Sequence, residues 1–348
     1  MTNRQRTSSP RRDGVTTIAD VARMAGVSEA TVSRAMRDFP QVRPALRERV
    51  LAAAAELNYV ADSNASRLAS GKTRTIGVIA PQLTTWYVSQ MSAGLEDVLH
   101  AAGNDLLVSA LSTPARRQDL REGRARFRQR VDALVLVDVF VGRDWTPPPS
   151  EPPVIVVGEK LDSGYSLGID DELGGFLATR HLLDLGHRRI GLIAGGAPES
   201  DFSPVSEFRT AGAARALRFY DLEPATVQNG LFTIEGGRAA ATAILDMPEA
   251  TRPTAIFSFS DEMAFGALHA IRERGLAVPG DISIVGFDDH TVSESVGLST
   301  VRQPVRELGR RAAQRALLAS SDEPFGNDHE LLPIELIVRS STASLHSI

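Results

Sequence analysis

Short β-rich runs alternate with helix-length amphipathic patterns from about residue 75 to the end of the chain. Alternation of this kind is typical of parallel sheets that are covered by helices on both faces. Since ~260 residues are too many for one comfortable open sheet, the pattern predicts two doubly wound α/β subdomains with a cleft between them. The β-rich runs are 76–80, 106–110, 133–137, 154–157, 190–194, 255–259 and 282–287, and the helical patterns are 88–101, 172–185, 207–219, 236–246 and 262–274.

The segment before this region contains only short helical patterns. Thr17 and Asp20 form a capping-box pattern at the start of a first helix. Gly26 is placed to end that helix in a tight turn, and Ser28 to cap a second helix. Pro44 marks the first position of a third. The predicted divisions of the chain are a disordered basic arm at 1–14, an all-α helix-turn-helix domain at 15–61, a hinge at 62–72 and the α/β core at 73–348.

Charge is distributed unevenly between these parts. Residues 1–75 carry 13 Lys and Arg against 7 Asp and Glu, whereas the remaining residues carry 25 against 36. A small basic module joined to an acidic body is the pattern of a polyanion-binding domain. The chain has no cysteine, no apolar run of the ~18–20 residues that span a bilayer, and a polar, arginine-rich start where a signal sequence would be apolar. We therefore expect a cytoplasmic protein without disulfides.

The second predicted helix has an apolar inner face and a polar outer face. Val21, Ala22, Val27 and Val32 supply a small core, which turns the other face toward solvent. Side chains on that face could reach base edges and phosphates in a major groove. A helical hairpin used only for packing is the alternative, but the outer face is small, polar and basic. The outward residues are Glu29, Ala30, Thr31, Ser33, Arg34 and Arg37.

Three segments carry a family resemblance. They are T-I-A-D-V-A-R-M-A-G-V-S-E-A-T-V-S-R at 17–34, R-E-R-V-L-A-A-A-A-E-L-N-Y at 47–59 and N-A-S-R-L-A-S-G-K-T-R-T-I-G-V-I at 64–79. In this order they resemble the lactose-repressor (LacI-type) family of bacterial transcription regulators, over nearly the whole chain. The resemblance implies a periplasmic-binding-protein-like core behind the helix-turn-helix domain, with a hinge helix that joins the two.

The resemblance also implies how DNA is contacted. Hinge helices of two copies enter the minor groove, where the residue matching Leu68 wedges between base steps. Ala61 and Asp62 stand where the family usually has Pro-Asn, and Arg43 replaces a small capping residue and is placed to contact phosphate. The predicted DNA-binding residues are Thr17, Ser28, Glu29, Ala30, Thr31, Ser33, Arg34, Arg37, Arg43, Ala65 and Leu68.

In the core, polar and aromatic residues follow the predicted strands, at the edge where open α/β sheets bind ligands. Trp86 and Tyr87 are placed to stack on a sugar ring, with packing in the core as the alternative. Arg209 and Asp288 resemble the family's hydroxyl-binding residues. Ser260 stands where the family has asparagine, which indicates an effector other than the commonest sugar type. The predicted effector-binding residues are Trp86, Tyr87, Asp138, Arg209, Ser260, Asp261, Asp288 and Gln303.

Two enzyme-like motifs lack the surrounding structure that catalysis requires. The S-G-K-T at 70–73 follows a helix and lacks the glycine that begins a Walker loop. The G-Y-S-L-G at 164–168 matches G-x-S-x-G, but it runs into a predicted short strand and does not join a strand to a helix. The histidines show no H-E-x-x-H spacing. We therefore predict no catalysis, no cofactor and no metal site.

Together these features predict a sequence-specific DNA-binding regulator, a repressor that binds a palindromic operator and is controlled by a sugar or sugar derivative in the cleft. A homodimer without a tetramerisation tail is expected, since no leucine heptad follows the final predicted strand at 331–339. Two alternatives remain. A periplasmic-type solute-binding protein fits the core alone, and an esterase-like enzyme fits only the G-x-S-x-G match. No membrane partner is expected.

Overall fold

The computed structural model divides into two compact units, residues 1–73 and 74–348. The residues it describes are 16–36, 39–59, 72–111, 113–122, 127, 130–149, 151–196, 204–321, 326 and 328–345. Outside these ranges lie the predicted basic arm 1–14, the hinge segment 62–71 and the predicted DNA contacts Arg37, Ala65 and Leu68. The predicted domain limits stay predictions.

Three helices make up the described part of the first unit: α1 (Ile18–Ala25), α2 (Glu29–Met36) and α3 (Pro44–Glu56). The Asp20 carboxylate accepts hydrogen bonds from the Thr17 N–H (3.0 Å) and hydroxyl (2.7 Å), which forms the predicted capping box. Gly26 ends α1 with φ of 64°, the left-handed conformation that the tight turn requires. The Ser28 hydroxyl caps α2 by accepting from the Thr31 N–H at 3.2 Å.

These helices enclose a small apolar core, as the sequence predicted. Val27 packs against it while remaining partly exposed. Because this core takes up one face of α2, the opposite face is left to solvent. The buried side chains are Val21, Ala22, Ala25, Val32, Ala35, Val50, Ala53 and Ala54.

The second unit contains two six-stranded sheets within the described residues. Their strands are β1 (Thr75–Ala80), β2 (Asp105–Ala110), β3 (Ala133–Val137), β4 (Val154–Val157), β5 (Tyr165–Ile169), β6 (Ile190–Ala194), β7 (Thr226–Asn229), β8 (Ala255–Ser258), β9 (Ser283–Asp288), β10 (Ser299–Arg302), β11 (Asp328–Leu332) and β12 (Glu335–Ile337). The first sheet has the order β11-β5-β4-β3-β1-β2 and the second β12-β10-β9-β8-β6-β7. Neighbouring strands are parallel, except that β12 runs antiparallel to β10. The predicted pair of parallel-sheet subdomains is confirmed, with that one antiparallel edge.

Helices cover these sheets. Those described are α4 (Trp86–Ala101), α5 (Pro114–Arg121), α6 (Asp171–Asp184), α7 (Pro204–Arg218), α8 (Ile234–Leu245), α9 (Asp261–Glu273) and α10 (Val305–Ala319). All five predicted helices are present, while α5 and α10 were not predicted. The buried face of α10 is built largely from alanine, which gives a weak apolar signal. No helix in the described ranges is long and apolar enough to cross a membrane.

The chain passes between the two subdomains three times in the described part of this unit. It crosses at Asp170, at Gln303–Pro304 and at Pro333–Ile334. The prediction of a single final strand over 331–339 is wrong, because β11 joins the first sheet and β12 the second. Pro333 has no N–H to donate to a ladder, so one strand cannot continue through it.

Candidate functional site

A cavity of about 390 Å³ lies between the two subdomains of the second unit. Its walls come largely from segments that follow the carboxyl ends of strands, which is where open α/β sheets bind ligands. Both subdomains contribute side chains to it. Six of the eight predicted effector-binding residues line this cavity, namely Tyr87, Asp138, Arg209, Ser260, Asp288 and Gln303.

Arg209 and Asp171 form a buried ion pair in the cavity wall. Nε and Nη2 of Arg209 lie 2.9 and 2.8 Å from Asp171 Oδ1, and the two residues are 4% and 8% exposed. Nη1 donates to the Phe259 carbonyl, and the guanidinium stacks 3.5 Å from the centroid of the Phe287 ring. Burial raises the pKa of Asp171, and the Arg209 charge opposes that rise. These contacts hold the guanidinium in one orientation.

Close packing of α6 against α7 places this pair. A Cβ at Gly175 of α6 would clash with the Arg209 carbonyl oxygen of α7. Glycine at this position lets the two helix backbones approach, which brings Arg209 over the first turn of α6, where Asp171 lies. Asp170 has the separate role of capping α6, since its carboxylate accepts from the Leu173 N–H at 2.8 Å.

Asp288 ends β9 in an unusual backbone conformation, with φ of 125°. Residues other than glycine adopt such backbone angles rarely and at an energetic cost, and they do so most often at functional sites. The Asp288 carboxylate accepts a hydrogen bond from Gln303 Nε2 at 2.6 Å, and both residues are buried. Burial raises the pKa of Asp288 well above its ordinary value, although the Arg209 charge opposes this.

Asp138 follows β3, again with a left-handed backbone, at φ of 51°. Its carboxyl group lies against Gly158, which follows the neighbouring strand β4, and a Cβ at position 158 would clash with Asp138 Oδ1. None of the described residues donates a hydrogen bond to this carboxyl group. Burial, reinforced by the Asp171 charge, raises the pKa of Asp138 to about 7, while Arg209 opposes the rise.

Tyr87 lines the same cavity from α4. Burial raises the pKa of its hydroxyl well above the ordinary value, and the Asp138, Asp171 and Asp288 carboxylates raise it further, while Arg209 lowers it. A single hydroxyl is therefore close to acidic groups from both subdomains. The arrangement offers a ligand several oriented acceptors around one donor.

Trp86 and Asp261 are predicted effector-binding residues that do not line the cavity. The Trp86 ring packs against the ring of His290, with centroids 4.9 Å apart. Asp261 is fully buried, and its carboxylate accepts from the hydroxyls of Ser293 (2.6 Å) and Thr300 (2.7 Å). These contacts place both side chains in the packing around the cavity. Ser260 does line it, while its hydroxyl caps α9.

Other residues line the cavity that the sequence did not single out. One signal was available for Asp171, because two acidic residues follow a short strand and only one is needed as a helix cap. No comparable signal existed for Leu231 and Phe232, which reach the cavity through left-handed φ angles of 55° and 53° without a glycine. The residues missed include Thr85, Arg121, Phe140, Asp171, Leu231, Phe232 and Glu262.

Ser166, the serine of the G-x-S-x-G match, lies inside β5 and is 0% exposed. Its Oγ lies 2.9 Å from His329 Nδ1 and accepts from the Leu161 N–H at 3.3 Å. The hydrolase nucleophile has to be accessible on a turn between a strand and a helix. A serine enclosed within a sheet cannot attack a substrate, so the geometry argues against the esterase alternative.

The first unit presents a polar helix face. The exposed side of α2 is turned away from the small core and has the width that a major groove admits. Contact with DNA at particular residues stays a prediction. Among the predicted DNA contacts in the described ranges, those exposed are Thr17, Ser28, Glu29, Ala30, Arg34 and Arg43, and those partly buried are Thr31 and Ser33.

Comparisons with known proteins agree with this architecture. The family model for bacterial regulatory proteins of the lacI family matches residues 17–62, and the model for a periplasmic binding protein-like domain matches residues 179–342. The HTH-type transcriptional repressor CytR of Escherichia coli (strain K12) is 33% identical, over 96% of this chain and 98% of its own length. The chain belongs to the LacI family of bacterial regulatory proteins. This LacI-family chain is a DNA-binding transcriptional regulator and not an enzyme.

Two solved structures share the LacI-type fold of this chain. A crystal structure of the lac repressor dimer bound to operator and the anti-inducer ONPF is 31% identical, with a TM-score of 0.80 over 94% of this chain and 99% of that one. A complex of the transcriptional regulator CelR with cellobiose is 29% identical, with a TM-score of 0.66 over the same shares of the two chains. Both span the helix-turn-helix domain as well as the core, so the LacI-type domain order predicted from the sequence is confirmed.

Proposed function

We propose that this LacI-family chain is a repressor that binds a palindromic operator as a homodimer and responds to a sugar or sugar derivative bound in the cavity. The observation that carries the proposal is the set of polar groups already oriented there, with Arg209 held by Asp171 and Asp288 held by Gln303. A repressor of this kind acts on chromosomal DNA, so the proposal places the protein in the cytoplasm.

The chemistry of the cavity suits a polyhydroxylated ligand. Hydroxyl groups both donate and accept hydrogen bonds, so a sugar can donate to the carboxylates and accept from the Tyr87 hydroxyl and a guanidinium. The volume of about 390 Å³ lies in the range of ~300–1,000 Å³ that is usual for small-molecule sites. The similarity to CelR, which was solved as a complex with cellobiose, supports a sugar as the class of ligand.

Control by the ligand follows from the position of the cavity. A ligand that contacts both walls binds more tightly to one arrangement of the two subdomains than to the other. It can shift the balance between the arrangements only by that difference in affinity. A difference of about 1–3 kcal/mol, typical of allosteric proteins, changes an affinity roughly 5–150-fold.

The DNA contacts are proposed on the exposed face of α2. Arg34 is the long cation in this helix, and it is exposed together with Glu29 and Ala30. Two copies related by a two-fold axis would present this face to two half-sites, which is why the operator is expected to be palindromic.

Selection of binding sites tests the proposal. The full-length chain is used to enrich fragments from a random double-stranded DNA library, and the selected DNA is then titrated in the presence of individual sugars. We expect a palindromic sequence, an affinity that falls steeply with salt, and at least one sugar that changes operator affinity tenfold or more. Enrichment of a sequence without two-fold symmetry would contradict the proposed homodimer. An operator affinity that none of the sugars changes would contradict the proposed control by a ligand in the cavity.

A further inference from the structure

The charged side chains that line the cavity are mostly acidic. An anionic ligand, such as a phosphorylated sugar, needs the opposite balance, because cations or N–H groups have to meet its charge. The excess of acidic side chains therefore argues against an anionic ligand. The charged lining residues in the described ranges are Asp138, Asp171, Glu262, Asp288, Arg121 and Arg209.

Both guanidinium groups of the cavity wall are already bonded to groups of the protein. Arg209 bonds Asp171 through Nε and Nη2. Arg121 donates to the Phe140 carbonyl at 2.6 Å, and it is close to Glu159, where burial raises the carboxyl pKa and the Arg121 charge is among the influences that oppose the rise. One positive charge of the wall is thus directed at a carboxylate, and the other at a backbone carbonyl with Glu159 nearby.

Three further carboxyl groups lack a cation of their own in the described part of the cavity, namely those of Asp138, Asp288 and Glu262, and the Glu262 carboxylate accepts from the Trp86 backbone. Asp288 accepts from the neutral Gln303 amide, and Asp138 accepts from no described donor. Both are close enough to Arg209 to feel its charge, but that guanidinium is bonded to Asp171. One positive charge is therefore shared by three carboxyl groups. Asp288 is buried and Asp138 is partly buried. Carboxylates removed from water without a matching cation are costly, and a cationic ligand offsets that cost.

We propose that the effector carries a positively charged amine, held jointly by Asp138 of the first subdomain and Asp288 of the second; this inference rests on the proposed function. An ammonium group donates three hydrogen bonds and brings the missing charge. Both carboxyl groups line the cavity with Tyr87 and raise the pKa of its hydroxyl, so an ammonium placed beside Tyr87 would meet the charge of both walls. A neutral sugar would satisfy the same acceptors without offsetting their charge, and a phosphate would add to it.

Matched ligands test this inference on the full-length chain. Each sugar scaffold, such as glucose, galactose or ribose, is compared in four forms: the neutral sugar, a derivative with a primary amine, the N-acetylated amine and the phosphate ester. Affinities are measured by isothermal titration calorimetry. For at least one scaffold we expect the amine to bind tenfold or more tightly than its neutral parent and its N-acetylated form, and the phosphate ester not to bind.

Two substitutions and a matched control locate the effect. Asp138→Asn and Asp288→Asn keep the size of the side chain and remove its charge, so each should weaken amine binding tenfold or more, and by a larger factor than it weakens binding of the neutral parent. Asp246→Asn removes an exposed carboxylate that pairs with Arg274 at 2.7 Å outside the cavity, and it should change neither affinity.

The outcomes separate this inference from the proposed function. A neutral sugar or a phosphate ester that binds as tightly as the amine, and alters operator affinity, overturns the amine and leaves the proposed function standing. If no form of any scaffold binds or alters operator affinity, both are overturned. Amine binding that is indifferent to Asp138→Asn and Asp288→Asn overturns the assignment of these two residues.

Discussion

The Gln303 side-chain amide donates a 2.6 Å hydrogen bond to the Asp288 carboxylate, and so joins the end of β9 to the point where the chain leaves the second subdomain. A ligand group that bonds Asp288 therefore acts on a residue attached directly to a connection between subdomains. Under the proposed function, this contact connects a ligand in the cavity with the arrangement of the two sheets.

Asp288→Ala should abolish the response to effector while leaving effector-free operator binding within about twofold. The substitution removes a charged acceptor, and each charge-assisted hydrogen bond lost should cost roughly 1.5–3 kcal/mol of effector binding. Fluorescence anisotropy of labelled operator, with and without effector, measures both quantities. Asp246→Ala is the control and should respond like the wild type. A normal response in Asp288→Ala would contradict the assignment of this residue to the site.

Gly158→Ala should destabilise the core and weaken effector binding. Gly158 has φ of 94°, and a Cβ there would clash with Asp138 Oδ1, so alanine forces both backbone strain and displacement of a carboxyl group in the cavity wall. We expect a loss of about 1–3 kcal/mol in the free energy of unfolding, measured by denaturant titration. Gly326→Ala, where an added Cβ meets nothing within 4 Å, should change stability by less than about 0.5 kcal/mol.

Asp138→Asn should stabilise the protein, and more so as the pH rises. Burial and the Asp171 charge raise the pKa of Asp138 to about 7 in the folded chain, whereas an unfolded aspartate has a pKa of about 3.9. Between these values the native state binds the additional proton, so the wild type loses stability as the pH increases through this window. Asparagine removes that loss.

Thermal unfolding at pH 4.5 and pH 8 checks this prediction. The stabilisation by Asp138→Asn should be small at the lower pH and reach about 1–3 kcal/mol at the higher one. Asp162→Asn, which removes an exposed partner of Arg143, is the control, and it should change the free energy of unfolding by less than about 1 kcal/mol. Equal effects of Asp138→Asn at both pH values would mean that the carboxyl group titrates normally.

Arg34→Ala should cost about 1–3 kcal/mol on the operator if this residue reads a base. It is the long cation of α2, and it is exposed on the face away from the small core. Binding to the operator and to random DNA of equal length is compared at one salt concentration. Equal weakening on both would identify Arg34 as a phosphate contact.

The fold could be predicted where apolar runs are buried on both faces. Strands β3, β4 and β6 are fully or almost fully buried, and their limits match the predicted runs. The strand β7 was missed because it lies at a sheet edge, where partly buried and exposed residues alternate over only four positions. The helix α10 was missed because alanines form much of its buried face and contribute little to apolar periodicity.

The candidate site also contains residues that the sequence could predict and residues that it could not. Residues at strand ends, such as Asp138 and Asp288, could be found because parallel strands bring their carboxyl ends to one edge. The role of Gly158 could not, since it depends on the pairing of β3 with β4, which sets one strand end beside the next. The burial of Asp261 could not be predicted either. Its carboxylate is bonded by the hydroxyls of Ser293 and Thr300, which lie 32 and 39 positions away in the chain.

The three crossings between the subdomains, at Asp170, Gln303–Pro304 and Pro333–Ile334, restrict how the cavity can open. A single linker would let one subdomain (lobe) rotate freely against the other. Three side-by-side connections allow bending about one common axis and resist twisting. Neither lobe is a continuous stretch of sequence, so no single cut could release one as an intact fragment. A chain that stopped before residue 328 would lose an edge strand from each sheet, and both lobes would then expose unpaired backbone at once.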